Sequence, residues 1–300
     1  RARTATGTPG SSRGAESTLG NAVAEVQRWA TEGLGVEVAF MNPGGLRADL
    51  LGAALGTGAY PTSVTYKEAA GVQPFANTLV AMTLTGDQIA QVLEEQWQPA
   101  GLSRPFLRLG TSDGFAYTYD PTAPAGSRIL EITLDGETIA PDDEVRVAVN
   151  SFLAAGGDNF PTFVEGTDRA DSGRVDLTAM VDYLAALGSL GPDFAQHSVG
   201  VVGADGLVAG TEATLELSSL SFTGAGDTVD AKVAVYLGGK KVGKADVDSS
   251  LPTDLYDEQG TATMTIKVPK KLSGEQELTI VGKSTGTSVS MTVDVTAAAS

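Results

Sequence analysis

Glu144-Val-Arg-Val-Ala-Val-Asn-Ser-Phe-Leu-Ala-Ala-Gly-Gly-Asp158 alternates apolar and polar side chains as far as Asn150, then breaks into an aromatic residue, two glycines and a carboxylate. Alternation with a period of two is the pattern of a half-buried strand, so Phe152 to Asp158 are expected on the loop that leaves it. Loops at strand ends are where sites are built on a rigid scaffold. Gly156-Gly157 lets another group approach the backbone closely, Asp158 can accept two hydrogen bonds from a vicinal diol, and Phe152 can offer a flat face to a ring. An ordinary Gly-Gly turn, with a core Phe and an Asp capping its own backbone, is written in the same letters.

Upstream, Ser17 or Thr18 is expected to cap a helix from Leu19 to about Thr31, with Leu19, Val23, Val26 and Ala30 on one face and Gly33 beyond its end. Residues 1–12, rich in Thr, Ser, Gly and Arg, read as a loose terminus. Val36 to Met41 reads as a buried strand that runs into Asn42-Pro-Gly-Gly-Leu-Arg47, where the glycines free the backbone and Arg47 can grip an anion. Thr78 to Leu84 is a further strand, and Thr85-Gly-Asp-Gln opens a helix reaching about Trp97. Phe75 follows a proline and precedes that strand, so it is either presented to solvent or packed in a core. Phe115 to Tyr119 is a strand, Ile129 to Ile139 is a hairpin turning at Asp135-Gly136, and Leu177 to Leu187 is an amphipathic helix.

The chain has 300 residues, 42% of them hydrophobic, which favours two domains with real cores. All eleven arginines lie at or before Arg174, whereas eight of the nine lysines lie at or after Lys232. This change of vocabulary, with the glycine-rich stretch Gly200 to Gly210, predicts a linker there and domains at 1–205 and 206–300. Within 206–300, strictly alternating segments separated by turn residues predict an all-β sandwich. A formal net charge of −17 argues against binding a nucleic-acid backbone, though not against a small nucleotide. No cysteine is present and the only histidine is His197, so neither a thiolate site nor a multi-histidine metal cluster can be assembled. No apolar run is long enough for a membrane-spanning helix.

Taken together, Arg13-Gly-Ala-Glu-Ser-Thr-Leu-Gly-Asn21, Asn42-Pro-Gly-Gly-Leu-Arg47, Pro74-Phe-Ala-Asn-Thr-Leu79, Tyr117-Thr-Tyr-Asp-Pro121 and Asn150-Ser-Phe-Leu-Ala-Ala-Gly-Gly-Asp158 resemble, in order, the blocks of the carboxyl-terminal domain of the 5′-nucleotidases. That family includes the UDP-sugar hydrolases and the 2′,3′-cyclic-nucleotide phosphodiesterases. The resemblance implies an α+β fold, a four-layer α-β-β-α domain that binds the nucleoside part of a substrate, here followed by an all-β module vaguely similar to bacterial immunoglobulin-like repeats.

Carried over block by block, Phe75 and Phe152 correspond to the aromatics that sandwich the base. Asn42 corresponds to a base-edge contact, Asp158 to the ribose contact, and Arg13 with Arg47 to the phosphate end. Pro43 stands where many relatives have Gly and stiffens its loop. In the family, hydrolysis belongs to an amino-terminal metallophosphatase domain with a divalent metal pair. The chain is therefore expected to need no cofactor of its own, to partner a nucleoside or nucleotide together with that missing domain, and to be catalytically silent alone. The resemblance further implies an extracellular or cell-surface location, at a bacterial cell wall. The alternative is a surface adhesion or structural module that keeps the fold without nucleotide hydrolysis, with the all-β part as spacer or stalk.

Overall fold

The structure is a computed structural model and describes residues 1–51, 61–253 and 259–298. Its first elements are α1 (Thr18–Thr31), β1 (Val38–Met41), α2 (Tyr66–Val72), β2 (Thr78–Thr85), α3 (Gly86–Glu94) and β3 (Gly110–Thr111). Three short strands follow, β4 (Phe115–Tyr119), β5 (Ile129–Leu134) and β6 (Glu137–Thr138). Then come β7 (Glu144–Asn150), α4 (Ser151–Ala154), β8 (Thr167–Val175) and α5 (Asp176–Leu187). The remainder is strand: β9 (Ser198–Val202), β10 (Leu207–Val208), β11 (Glu212–Ser218), β12 (Lys232–Leu237), β13 (Lys240–Asp246), β14 (Ala262–Lys267), β15 (Gly274–Gly282) and β16 (Ser288–Thr296).

Two compact units result, and neither is continuous in sequence. The first takes Arg1–Asp113 and Ala140–Asp193; the second takes Gly114–Ile139, Phe194–Pro252 and residues 259–298. The first unit is helix on sheet, with strands in the order β3-β1-β7-β2-β8. Only β1 and β7 run parallel, Phe40 opposite Val149; the other pairs are antiparallel. Because successive strand side chains alternate, Met41 and Leu79 point to the face covered by Leu19, Val23, Val26 and Ala30 of α1, Ala69 and Val72 of α2, and Ala179 and Met180 of α5. Phe40, one residue before Met41, faces the other way and meets Phe163 at 6.0 Å between ring centroids.

Local chemistry sets the helix starts. Ser17 Oγ accepts from Gly20 N at 3.0 Å at the head of α1, while α2 and α3 each begin with a reciprocal capping box, Thr65 with Glu68 and Thr85 with Gln88. Gly35, at φ 75°, closes the 3₁₀ turn that follows α1, a place where an L side chain is disfavoured. α1 rides directly on β3: a methyl group added to Gly110 would lie 2.3 Å from the backbone of Gly20. Residues 1–12 depart from the loose terminus expected, since Ala2, Thr4 and Ser12 are buried and Gly10 N bonds Ala2 O at 2.8 Å. β8 is invisible in the sequence because its segment is polar. It is an irregular, largely exposed strand at the edge of the sheet, held to β2 by pairing rather than by apolar alternation.

The second unit contains two sheets, β14-β11-β9-β4-β5-β6 and β10-β16-β15-β12-β13. Val199, Val201, Leu215, Leu217 and Ile266 from the first, with Val233, Val235, Leu237, Leu278, Ile280 and Val293 from the second, form one core. Two sheets sharing a core make a sandwich. Residues 206–300 do not make it alone: β9 pairs in parallel with β4, Tyr117 opposite Ser198, so residues 115–138 complete its first sheet. The glycine-rich stretch at 200–210 is likewise not a linker, because β9 within it pairs with β4 and β11, and β10 pairs with β16. Gly203, Gly206 and Gly210, at φ 85°, 65° and 82°, turn the chain between those strands. Brief digestion with a broad-specificity protease is expected to leave 198–210 uncut while the chain is folded; an early cut there, read by mass spectrometry, contradicts this pairing.

Candidate functional site

All six residues singled out from the sequence, Arg13, Asn42, Arg47, Phe75, Phe152 and Asp158, lie in the first unit. The parallel pairing of β1 with β7 brings Asn42 and Asn150 side by side at the carboxyl ends of neighbouring strands. Both are buried. Asn150 donates from Nδ2 to Asn42 Oδ1 at 3.0 Å, and Asn42 donates from Nδ2 to Asp158 Oδ2 at 2.7 Å. The other end of the Asn150 amide caps α4, its Oδ1 accepting from Leu153 N at 3.0 Å. The relay thus fixes the carboxylate of Asp158 through two amides that cannot ionise.

The loop after β7 is built to present rather than bury its ends. Phe152 remains 46% exposed although it sits within a helical turn. Its ring lies on the Cα of Gly157, where an added methyl group would come within 2.6 Å of three ring carbons, so glycine is required for the ring to lie there. Asp158 and Asn159 take φ 55° and 60°, a left-handed conformation that Asp and Asn tolerate better than most residues. Arg169 of β8 clamps the loop by donating to the carbonyls of Ala154 and Phe163, both at 2.5 Å.

Phe75 is held at the same end of the sheet. It precedes β2, which pairs antiparallel to β7 with Leu79 opposite Asn150, and it is 55% exposed. Asp176 fixes the segment: its Oδ2 accepts from Asn77 N at 3.2 Å, and its N–H donates to Asn77 O at 2.9 Å. Ser151 Oγ reaches Asn77 Oδ1 at 3.5 Å, joining the two aromatic loops. The guanidinium of Arg47 stands 5.8 Å over the Phe75 ring, a cation–π contact, while its backbone N–H is anchored to Val72 O at the end of α2.

Arg13 completes the arrangement from the segment before α1. A methyl group on Gly44 would meet Arg13 Nη1 at 2.8 Å and Asp158 Oδ2 at 3.0 Å, so both groups face that glycine. Pro43 holds Asn42 extended and starts the 3₁₀ turn that carries Gly44. Burial, and after it the charge of Arg104, lower the Arg13 pKa against the opposing pull of Asp158. A cavity of about 220 Å³ lies between Arg1, Arg13, Arg47, Arg104, Pro43 and Ser17. Among the described residues, four guanidinium groups and no carboxylate line it, a set that does not fit a divalent cation. Such a site suits an anion with a flat, hydroxyl-bearing group attached.

Known proteins resemble this chain. A family model described as the 5′-nucleotidase, C-terminal domain, matches residues 2–165. The chain belongs to this family. The matched span contains all six site residues and also β4–β6 of the second unit. Among curated relatives, the trifunctional nucleotide phosphoesterase protein YfkN of Bacillus subtilis is 34% identical over 58% of this chain and 12% of its own length. The cell wall protein Lmo0130 of Listeria monocytogenes is 34% identical over 49% of the chain and 18% of its own. The chain therefore spans less than a fifth of either. The solved 5′-nucleotidase precursor of Thermus thermophilus superimposes with a TM-score of 0.52 at 31% identity, covering 63% of this chain and 36% of that one.

Several contributors escape a reading of the sequence. Asn150 and Asp176 act by holding other residues, and single letters at a strand end or a helix start do not announce that role. Thr65-Tyr-Lys-Glu68 does carry a signal for α2, the capping-box spacing. Arg104 sits in a stretch without periodicity.

Asn150→Ala removes the acceptor of the buried Leu153 N–H and the donor to Asn42, so chemical denaturation is expected to show a loss of about 1–3 kcal/mol; an unchanged midpoint contradicts the relay. Burial raises the Asp176 pKa above the ordinary carboxylate value, outweighing the hydrogen bonds from Leu177 and Asn77 that lower it. The folded state then holds this proton more tightly than the unfolded one, so this contribution is fully present below about pH 4 and is lost as pH rises through the raised pKa. Asp176→Asn is expected to gain stability relative to the parent as pH is raised over that window, measured as the difference between the two unfolding curves.

Proposed function

We propose that the first unit is the nucleoside- and phosphate-recognising part of a 5′-nucleotidase-type phosphoester hydrolase whose hydrolytic metals reside in a domain outside this sequence. The observation that carries the reading is the relay Asn150–Asn42–Asp158, in one unit with the exposed rings of Phe75 and Phe152 and an arginine-lined cavity. Phe75 and Phe152 hold the faces of a base, a sequence-tolerant contact worth roughly 1–3 kcal/mol per stacked base. Asp158 accepts from ribose hydroxyls. Asn42 orients that carboxylate and keeps spare hydrogen-bonding capacity for the base edge. Arg13 and Arg47 take the phosphate oxygens, for which the planar guanidinium fork is suited.

Hydrolysis in the parent protein, and a secreted or cell-wall location, belong to the same proposal; the cell wall relative in Listeria supports the location. The β-sandwich fits an immunoglobulin-like spacer. Its strands alternate buried and exposed residues, and the outward positions of β14 and β16 are polar, among them Thr263, Thr265, Lys267, Thr292 and Asp294.

Binding is expected to be weak, because two stacking faces and a few hydrogen bonds exceed the ordering cost only modestly. A Kd on the order of 0.1 to a few mM corresponds to about 4–6 kcal/mol. Adenosine titration followed by amide NMR shifts is expected to move residues 42–47, 75 and 152–158, and Phe152→Ala to remove most of the response. Silence at those positions with several mM adenosine defeats the reading.

A further inference from the structure

The segment that presents Phe75 is tied at both ends to one buried residue, Asp176, the first of α5. At its start Gln73 Nε2 donates to Asp176 O at 3.3 Å. At its end Asp176 N donates to Asn77 O at 2.9 Å, and Asp176 Oδ2 accepts from Asn77 N at 3.2 Å and from Asn77 Nδ2 at 3.4 Å. Gln73 is buried, whereas Pro74, Phe75 and Ala76 between the ties are exposed. The ring is thus placed by the ties rather than by burial. Ala76, which links the ring to Asn77, takes φ 55°. A residue with a Cβ is disfavoured there, and such a conformation persists only where its surroundings over-determine it. Next to Ala76 those surroundings are the bonds between Asn77 and Asp176.

Both oxygens of the Asp176 carboxylate are in use, since Oδ1 accepts from Leu177 N at 2.7 Å while Oδ2 serves Asn77. The bond to Leu177 is the shorter, so an added proton goes to Oδ2 and turns the acceptor of the Asn77 bonds into a hydroxyl, a weaker acceptor than a carboxylate oxygen. Burial raises the pKa of this group against the hydrogen bonds from Leu177 and Asn77, which moves its titration toward neutral pH. α5 packs against α1, α2 and β8, whose charged groups are engaged elsewhere. Arg28 pairs with Glu25 on α1, and Glu68 caps α2. On β8, Arg169 donates to the carbonyls of Ala154 and Phe163, Asp171 accepts from Thr78 and Gly173, and Arg174 pairs with Asp182 of α5. Lys67 and Asp168 are exposed.

We propose that Asp176 is the positioning residue of the Phe75 face: its carboxylate holds Asn77 and the strained Ala76 so that the ring is presented, and a proton on it lets Ala76 relax and the ring leave that place. Binding of a flat base at this end of the sheet is thereby gated by proton concentration. This deepens the function proposed above and rests on it for the role of Phe75. Asp176 itself touches no ligand in this scheme.

The test follows three NMR signals of the unliganded full chain from about pH 4 to pH 7, the Asp176 carboxyl carbon, the Asn77 amide and the Phe75 ring. All three are expected to share one midpoint. Adenine, a base without the ribose that Asp158 would contact, is then titrated at each pH. With only the ionised form competent to bind, apparent affinity is expected to be about tenfold weaker one pH unit below that midpoint. Asp176→Asn, whose single amide oxygen cannot serve both Leu177 and Asn77, is expected to bind adenine weakly at every pH. Ala76→Gly removes the strain and is expected to keep most of the affinity as pH falls. Phe75 and Asn77 signals that stay fixed while Asp176 titrates, or an Ala76→Gly chain with the parent's pH profile, overturn the proposal. Coincident titration of the three signals, without any response to adenine, supports the positioning role and defeats the base clamp instead, so the two failures are told apart.

Discussion

The hydrogen bond between Asn150 and Asn42 exists because two parallel strands end side by side, and the rest of the site hangs from it. β1 and β7 are the only parallel pair in their sheet, and their shared carboxyl end is where Asn42 and Asn150 meet. One amide caps the turn that carries Phe152, while the other aims Asp158. Antiparallel β2, beside β7, then brings the Phe75 segment to the same edge. A neutral relay suits this position: buried amides hold a carboxylate in place without the desolvation cost that a buried ion pair carries.

Charge is distributed with the opposite logic. An acidic chain generally repels anionic ligands, and screening confines that repulsion to about 8–10 Å at ordinary ionic strength. Clustering arginines around one recess creates a local field of the other sign, which favours an anion at that place. The cation–π contact of Arg47 with Phe75 places one of those charges beside an exposed aromatic face.

Much of this is legible in the sequence, and what is legible shares a physical basis. Regular alternation marks β2, β7 and the strands from β11 onward apart from β13, an apolar run marks β1, aromatic and β-branched residues mark β4, and helical spacing marks α1, α3 and α5. The motif blocks mark six residues that the fold collects in one unit. What is not legible depends on partners far along the chain. β8 is a strand only because β2 lies beside it, and glycines at 200–210 look like a linker until β4, β11 and β16 are in place. Arginine and lysine usage tracks the chain ends rather than the packing, since surface charge is a weak reporter of which strands share a core. Arg104 is silent because an arginine that lines a cavity and one on open surface are written with the same letter.

The placing of β4–β6 has a consequence for biosynthesis. Tyr117 pairs with Ser198, about 80 residues later in the chain. At roughly 5–20 residues per second, β4 leaves the ribosome on the order of 4–16 seconds before its partner has been made. Through that interval the apolar face of Phe115, Tyr117 and Tyr119, fully buried in the finished protein, is uncovered on a strand with a free hydrogen-bonding edge. The β5 hairpin, whose Asp135-Gly136 turn forms locally, covers one edge early. The other edge waits for synthesis to pass residue 200, which makes the nascent chain, more than the mature one, the state in need of a chaperone.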